Sequence, residues 1–252
     1  MRAFFTWLVC LILAAIALQL FFVGRIALMA VIDPQSTAFQ RSEAWQIATH
    51  GRSNPDAGDR RWQQRWVPYA QIADNLKRAV IASEDGEFIY HRGVEWEAIE
   101  RARQRNAKAE EIAARRAAAA LARGKAPQAA KLRGGSTITQ QLAKNLFLSG
   151  ERTLLRKGQE LMLAMVLEAL LSKQRILELY LNSVEWGEGV FGAEAASQRY
   201  FNKSASRLSS NEAARLAVML PSPKFFERRL GSTYVTGRAA TIVARMPSAD
   251  LP

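Results

Sequence analysis

Glu84 and Asp85 stand side by side at the end of "YAQIADNLKRAVIAS", where Ile72, Leu76, Ala79 and Val80 recur at helical spacing. A carboxylate held against an apolar wall has a raised pKa and can take a proton from an attacking hydroxyl. A helix end turning into solvent also carries paired acids, so the pair alone leaves both readings open. Phe88 and His91 follow Glu84 at i+4 and i+7 and would share its face if the helix continued. His91 equally fits a packed, hydrogen-bonded histidine.

A second stretch, "LRGGSTITQQLAKNLFL", joins a glycine pair to hydroxyls, amides and one lysine. Gly134-Gly135 allows a tight turn. Thr137 with Gln140 three residues on is a capping-box pattern, so a helix is predicted to start there. A glycine-rich loop feeding a helix N-terminus points backbone N–H groups outward and suits an anion. Gln141 and Lys144 lie within two turns of that start, and Lys144 adds a full positive charge. An ordinary capped helix after a loop is the alternative. A nucleotide P-loop is excluded, because no Lys-Ser or Lys-Thr pair follows the glycines.

The third stretch is "RKGQELMLAMVLEALLS". Arg156 and Glu160 are at i, i+4, and Lys157 and Glu160 at i, i+3, so all three can meet on one side of a helix. The surrounding residues are almost wholly apolar, and the helix reads as buried. A buried charged cluster must be paired or used. A structural ion pair and a functional cluster are both consistent with it.

Several elements must position these groups. Ala3 to Val23 has no charged residue, and its 21 residues match the hydrocarbon core of a bilayer. A cleaved signal peptide would have a shorter apolar region and a small-x-small cleavage site. Apolar character instead resumes after Arg25 in "IALMAVI", so an uncleaved anchor is expected over residues 1–32. Arg2 before the span and Arg25 after it set orientation only weakly. Asp33 to Arg65 is polar, carries Asn54-Pro55 and Gly58, lacks periodicity and reads as a linker. Beyond it, residues 66–252 read as one mainly α domain without repeats. Helices are expected near Trp96 through the Arg/Ala-rich segment, from Thr137, over 154–172, over 173–182, within "SSNEAARLAVMLPSP", and over "YVTGRAATIVARM". No stretch alternates convincingly at period two.

The net charge of +12 favours an anionic partner. Arg101 to Arg133 contains ten Lys/Arg against Glu110 and Glu111, and fits either anionic headgroups or a solvated helix face. Cys10 is the single cysteine and lies within the apolar span, so no intrachain disulfide or cysteine metal site can form. With His50 and His91 the only histidines, a zinc site resting mainly on histidine is not expected.

Taken in order, "EDGEFIYHRG", "RGGSTITQQLAKNLF", "RKGQELMLAMVLE", "KQRILELYLNSVEWGEGVFGAEAASQRYF" and "EAARLAVMLPSP" resemble the five motifs of the peptidoglycan glycosyltransferases of family 51. The similarity runs from about Trp66 to Arg245. Because the chain stops soon after the fifth motif, it looks like the monofunctional Gram-negative form, without a transpeptidase domain. The resemblance implies a lysozyme-like α fold with a small apolar jaw against the membrane. It also implies polymerisation of lipid II into β-1,4 glycan strands at the periplasmic side of the inner membrane. Glu84 matches the catalytic base, with Asp85 beside it, and Phe88 and His91 match the rest of the first motif. Thr137, Gln141, Lys144 and Asn145 match substrate-binding positions. Arg156, Lys157 and Glu160 match the third motif, where the glutamate is the second essential acid. Glu160 would orient the cations or help hold a divalent metal, Mg or Mn. Membrane lipids and cell-wall synthesis or division proteins are the implied partners.

Two departures stand out. Glu95 occupies a position where the family usually carries Asp, and the Arg/Ala-rich stretch is longer than expected. The rival readings are a lysozyme-like lytic enzyme and a membrane-anchored binding protein for lipid or nucleic acid. The first would not need a cation cluster, and the second leaves Glu84 and Glu160 without a task. No nucleic-acid partner is expected.

Overall fold

The computed structural model describes residues 2–50, 62–121, 123, 126, 135–148 and 153–252. It opens with α1 (Arg2–Leu28), a helix long and apolar enough to cross a membrane, whose most apolar stretch lies wholly outside the protein core. The chain then forms α2 (Ala38–His50), within the segment expected to be a linker. Its start is a second capping box that the apolar periodicity does not reveal. The Gln40 backbone N–H donates to Thr37 Oγ1 at 3.0 Å, and the Gln40 side chain accepts from the Thr37 backbone N–H at 2.8 Å. The segment is also fixed by aromatic contact. Phe39 and Trp62 both pack on Phe191, at 6.3 and 4.7 Å between ring centroids. The remainder of the expected linker, residues 51–61, lies outside the described residues.

The domain is mainly α, as expected, and also carries three short strands that no period-two pattern announces. β1 (Gln63–Gln64), β2 (Glu185–Gly187) and β3 (Val190–Phe191) form a small sheet in the order β1-β3-β2, with β1 parallel and β2 antiparallel to β3. Elements of two or three residues are too short to carry a period-two pattern.

The rest of the described domain is helical: α3 (Asp74–Glu84), α4 (Trp96–Leu121), α5 (Ile138–Phe147), α6 (Leu154–Leu170), α7 (Lys173–Ser183), α8 (Ala193–Phe201), α9 (Ser210–Met219), α10 (Pro223–Phe226) and α11 (Thr233–Arg245). α9 lies between α3 and α11, and its Ala213, Ala214 and Ala217 are small enough for close approach. α5 packs against α6 and α7, with Leu142, Ala143 and Leu146 buried against that side. Fully enclosed Tyr180, Trp186, Phe88 and Phe191 fill the core around these groups.

Expected helix starts at Thr137 and in "SSNEAAR" are observed as capping boxes, Thr137 with Gln140 and Ser209 with Glu212. α6 is less buried than its sequence implies. Glu160, Leu163, Ala164 and Leu167 face inward, whereas Leu154 and Leu155 are 93% and 86% exposed. Met162 and Met165 are also exposed. An apolar helix can be apolar all round for two reasons: it is enclosed by protein, or its outer face meets lipid.

Candidate active site

α3 ends at Glu84, so Phe88 and His91 do not continue its face. Asp85 leaves the helix in a non-helical conformation, and a run of turns follows. That turn gives Asp85 a task. Its side chain is buried, and Oδ1 lies 2.9 Å from His91 Nε2. Its Oδ2 accepts from the backbone N–H of Ile138 at 2.9 Å, at the first residue of α5. A carboxylate at a helix N-terminus is favoured there by the helix dipole. His91 Nδ1 accepts from the Gly93 N–H at 3.1 Å, which assigns the ring proton to Nε2, facing Asp85.

Gly93 closes the same connection. Its φ is +82°, and a Cβ there would meet Glu168 Cγ at 3.0 Å and the Ala164 carbonyl oxygen at 3.1 Å. Its carbonyl accepts from Thr137 Oγ1 at 2.7 Å. Asp85 and Gly93 thus hold the start of α5 from two sides. Phe88 is wholly enclosed, packs edge-on against His91, and lies 4.5 Å beneath the Lys173 ammonium. With no surface of its own, Phe88 supports His91 and has no face to offer a ligand. Thr137 and Asp85 are likewise buried within the framework.

Glu84 differs from its neighbour. Its carboxyl is half-buried beside Gln141, and burial raises its pKa. Hydrogen bonds from Gln141 and Ser83 oppose that rise, Asp85 adds to it, and the Arg238 guanidinium on α11 opposes it. The Gln141 Nε2–H donates to Glu84 Oε2 at 3.0 Å, and Gln141 Oε1 accepts from the Tyr180 hydroxyl at 2.9 Å. Burial first, then the nearby Glu84 and Asp85 carboxylates, push the Tyr180 phenol well above its usual pKa. It therefore stays a neutral donor and fixes which way the Gln141 amide points. The arrangement holds a carboxyl whose proton affinity is raised by burial and whose charged form Gln141 steadies.

The third group forms as the spacing predicts. Glu160 is buried; its Oε2 accepts from Arg156 Nη1 at 2.9 Å, and its Oε1 from Lys157 Nζ. Lys157 also donates to Ser136 Oγ at 3.0 Å, just ahead of the α5 cap. The stretch from Ser136 to Gln141 therefore touches both acid groups: the Lys157–Glu160 cluster at one end, Glu84 at the other. Lys144 and Asn145 follow Gln141 by three and four residues along α5; Lys144 is half-buried and Asn145 is buried. Gly134 lies outside the described residues. Glu95 sits just before α4 and pairs with Arg101.

The donor set does not fit a resident metal at Glu160. Both of its oxygens already face cations, and among the described residues no group of three His, Cys, Asp or Glu could hold a metal ion. Glu160 makes the two contacts that orienting Arg156 and Lys157 would need. Tyr180, Ser136, Glu168 and Arg238 escape sequence reasoning. Glu168 accepts from Thr139 Oγ1 at 2.6 Å and from Lys173 Nζ at 2.8 Å, bracing α5 against α6. Glu168 and Lys173 are five residues apart, outside the spacing of a helical pair, and no local pattern marks Tyr180 as the group that orients Gln141.

Similarity to known proteins agrees with this constellation. Residues 53–247 match the family described as Transglycosylase. Proteins named biosynthetic peptidoglycan transglycosylase are similar over almost the whole chain. That of Burkholderia thailandensis is 50% identical over 95% of this chain and 84% of its own. That of Paraburkholderia phytofirmans is 48% identical over 95% and 90%, and that of Herminiimonas arsenicoxydans 45% over 100% and 99%. A paired acid at the end of one helix, a capped helix crossing between two acidic centres, and near-complete coverage at this identity lead to one conclusion: the chain belongs to the transglycosylase family.

Proposed function

We propose that this chain is a peptidoglycan glycosyltransferase that polymerises lipid II into β-1,4-linked glycan strands, releasing polyprenyl diphosphate. The observation that carries the reading is the Tyr180–Gln141–Glu84 chain beside the Arg156–Lys157–Glu160 cluster, with Ser136 to Gln141 between them. The donor sugar is α-linked to diphosphate and the product linkage is β, so C1 inverts in one displacement. Glu84, with its raised pKa, takes the proton from the acceptor 4-hydroxyl as that oxygen attacks C1. The bond from C1 to the diphosphate oxygen breaks, and its electron pair leaves on the phosphate. Arg156, Lys157 and Lys144 supply positive charge to that leaving group, and Glu160 holds the first two in place. Asp85, His91 and Thr137 fix the entry to α5, and with it Gln141. Asn145 extends the polar row along α5 toward the substrate sugars.

The substrate is lipid-tethered, which gives α1 and the exposed apolar side of α6 a shared purpose. α1 crosses the bacterial inner membrane once, and the catalytic domain lies on the periplasmic side. Membrane lipids, lipid II and the growing strand are its partners, and cell-wall synthesis or division proteins are further ones. Labelled lipid II incubated with the purified protein in detergent should give glycan ladders on a gel, and Glu84→Gln should give none. Cleavage of preformed glycan without ladders would refute this reading in favour of lysis.

A further inference from the structure

Gln19 and Gln159 form a reciprocal amide pair. Gln159 Nε2–H donates to Gln19 Oε1 at 3.2 Å, and Gln19 Nε2–H to Gln159 Oε1 at 3.4 Å. Gln19 is the one amide in the uncharged stretch Ala3–Val23. It is also the first α1 residue shielded by the domain; residues 2–18 are all exposed. The 21 residues from Ala3 to Val23 rise about 30 Å as a helix, the depth of a hydrocarbon core. Gln19 lies four residues before Val23, so its amide sits about 6 Å inside the core boundary. Gln159 is carried to the same depth.

The contacts that follow along α1 are of another kind. Phe22 meets Phe147 edge-on at 5.4 Å, Arg25 lies 5.5 Å from the same ring, and Ile26 and Met29 are buried. Arg175 then bonds the Met29 carbonyl at 2.7 Å and Asp33 at 2.7 Å. The Phe22, Ile26 and Met29 side-chain contacts tolerate sliding by part of a turn, and Arg175 grips the chain only beyond Val23. A two-bond amide pair has one register, and in lipid neither amide finds water as a substitute. Gln159 precedes Glu160 directly, and Arg156 and Lys157 lie within one turn, about 5 Å along α6.

We propose that the Gln19–Gln159 pair is a depth register: it sets the height of α6, and with it that of Arg156, Lys157 and Glu160, relative to the membrane in which a lipid-linked diphosphate is anchored. This makes both glutamines positioning residues, and it rests on the glycosyl-transfer reading above. The register matters only in a bilayer. In detergent the substrate has no fixed plane, and the domain meets it at any height.

The test compares Gln19→Leu, Gln159→Leu and the double variant in two media, with lipid II as substrate. In proteoliposomes each variant should polymerise about three- to tenfold more slowly, the scale of an intramembrane amide pair, with KM rising more than kcat falls. In detergent all should match the wild type. A second readout needs no activity. Leu155→Cys in a Cys10→Ala background carries a nitroxide, whose depth is read by oxygen and nickel-chelate accessibility. That label should sit shallower, or spread over several depths, in each glutamine variant. Unchanged label depth with wild-type liposome rates would overturn the register. Equal losses in both media would also overturn it, since the pair would then shape the site and not its height. If the wild type makes no glycan in either medium, the functional reading falls alone, and the label still decides whether the pair sets depth.

Discussion

Replacing Gln141 with Ala should move the acid limb of the pH–rate profile upward. The Glu84 pKa is already raised by burial, and the Gln141 Nε2–H at 3.0 Å is the strongest group holding it down. A hydrogen bond to the charged form favours that form, so its loss favours the proton. The base is active when ionised, and the rate therefore climbs only at higher pH. A bond to an ionised group contributes about 1.5–3 kcal/mol, which is roughly ten- to a hundredfold in rate on the acid side. On the alkaline side, where Glu84 is ionised in either protein, the rate should approach wild type. Tyr180→Phe is the graded control. It removes the 2.9 Å bond that orients the Gln141 amide, and the amide is then free to turn its oxygen toward Glu84. A neutral bond contributes about 0.5–1.5 kcal/mol, so the same displacement should appear at roughly two- to tenfold. Initial rates on lipid II in detergent across the pH range, in a constant ionic strength buffer series, provide the assay. A profile that keeps its limb while losing rate equally at every pH would refute the base-tuning argument. It would leave Gln141 as a substrate contact only.

Three further outcomes follow from the same geometry. Glu160→Gln should raise KM for lipid II and cost about 2 kcal/mol of stability by thermal unfolding, less than a fully buried pair because half-exposed Lys157 regains water. Unchanged KM would detach the cluster from the diphosphate. Gly93→Ala should lower stability by about 1–3 kcal/mol, because φ is +82° and the added carbon meets a backbone carbonyl at 3.1 Å; a melting temperature equal to wild type would count against strain there. Glu185, beside Lys224, Glu43, Glu227 and Glu188, is pushed up to about 8, first by burial. The folded state then binds this proton more tightly than the unfolded chain, so its contribution is full below about pH 4.5 and is lost as pH rises through 8. Glu185→Gln should flatten the fall in denaturation midpoint between about pH 5 and pH 8, and a slope equal to wild type would mean that Glu185 is ionised throughout.

Much of the site's content was readable from local spacing, and its limits were local too. Thr137 and Gln140 mark a helix start because the capping box needs only three residues and two bonds. Thr37 and Gln40 mark another by the same rule, yet the segment reads as a linker because no apolar period supports it. Its order comes from Phe39 and Trp62 packing on Phe191, more than a hundred residues away. α6 is less buried than its sequence implies for a related reason. Apolar composition records the preference for leaving water, and does not distinguish a protein core from lipid.

The sequence alone determined the acids, the cations and the hydroxyl-rich run, the helix that carries each, and the membrane-length span, since all of these rest on residue type and spacing within a few turns. The tertiary structure decided the division of labour among them. Asp85 and Glu84 are adjacent in the chain, yet the turn after α3 buries one against a helix N-terminus and leaves the other half-buried beside Gln141. Phe88 became packing, Tyr180 became the group that orients an amide, and Gln19 met Gln159 across 140 residues. Proton affinity depends on burial and on which groups approach from other elements, and only the folded chain fixes those distances.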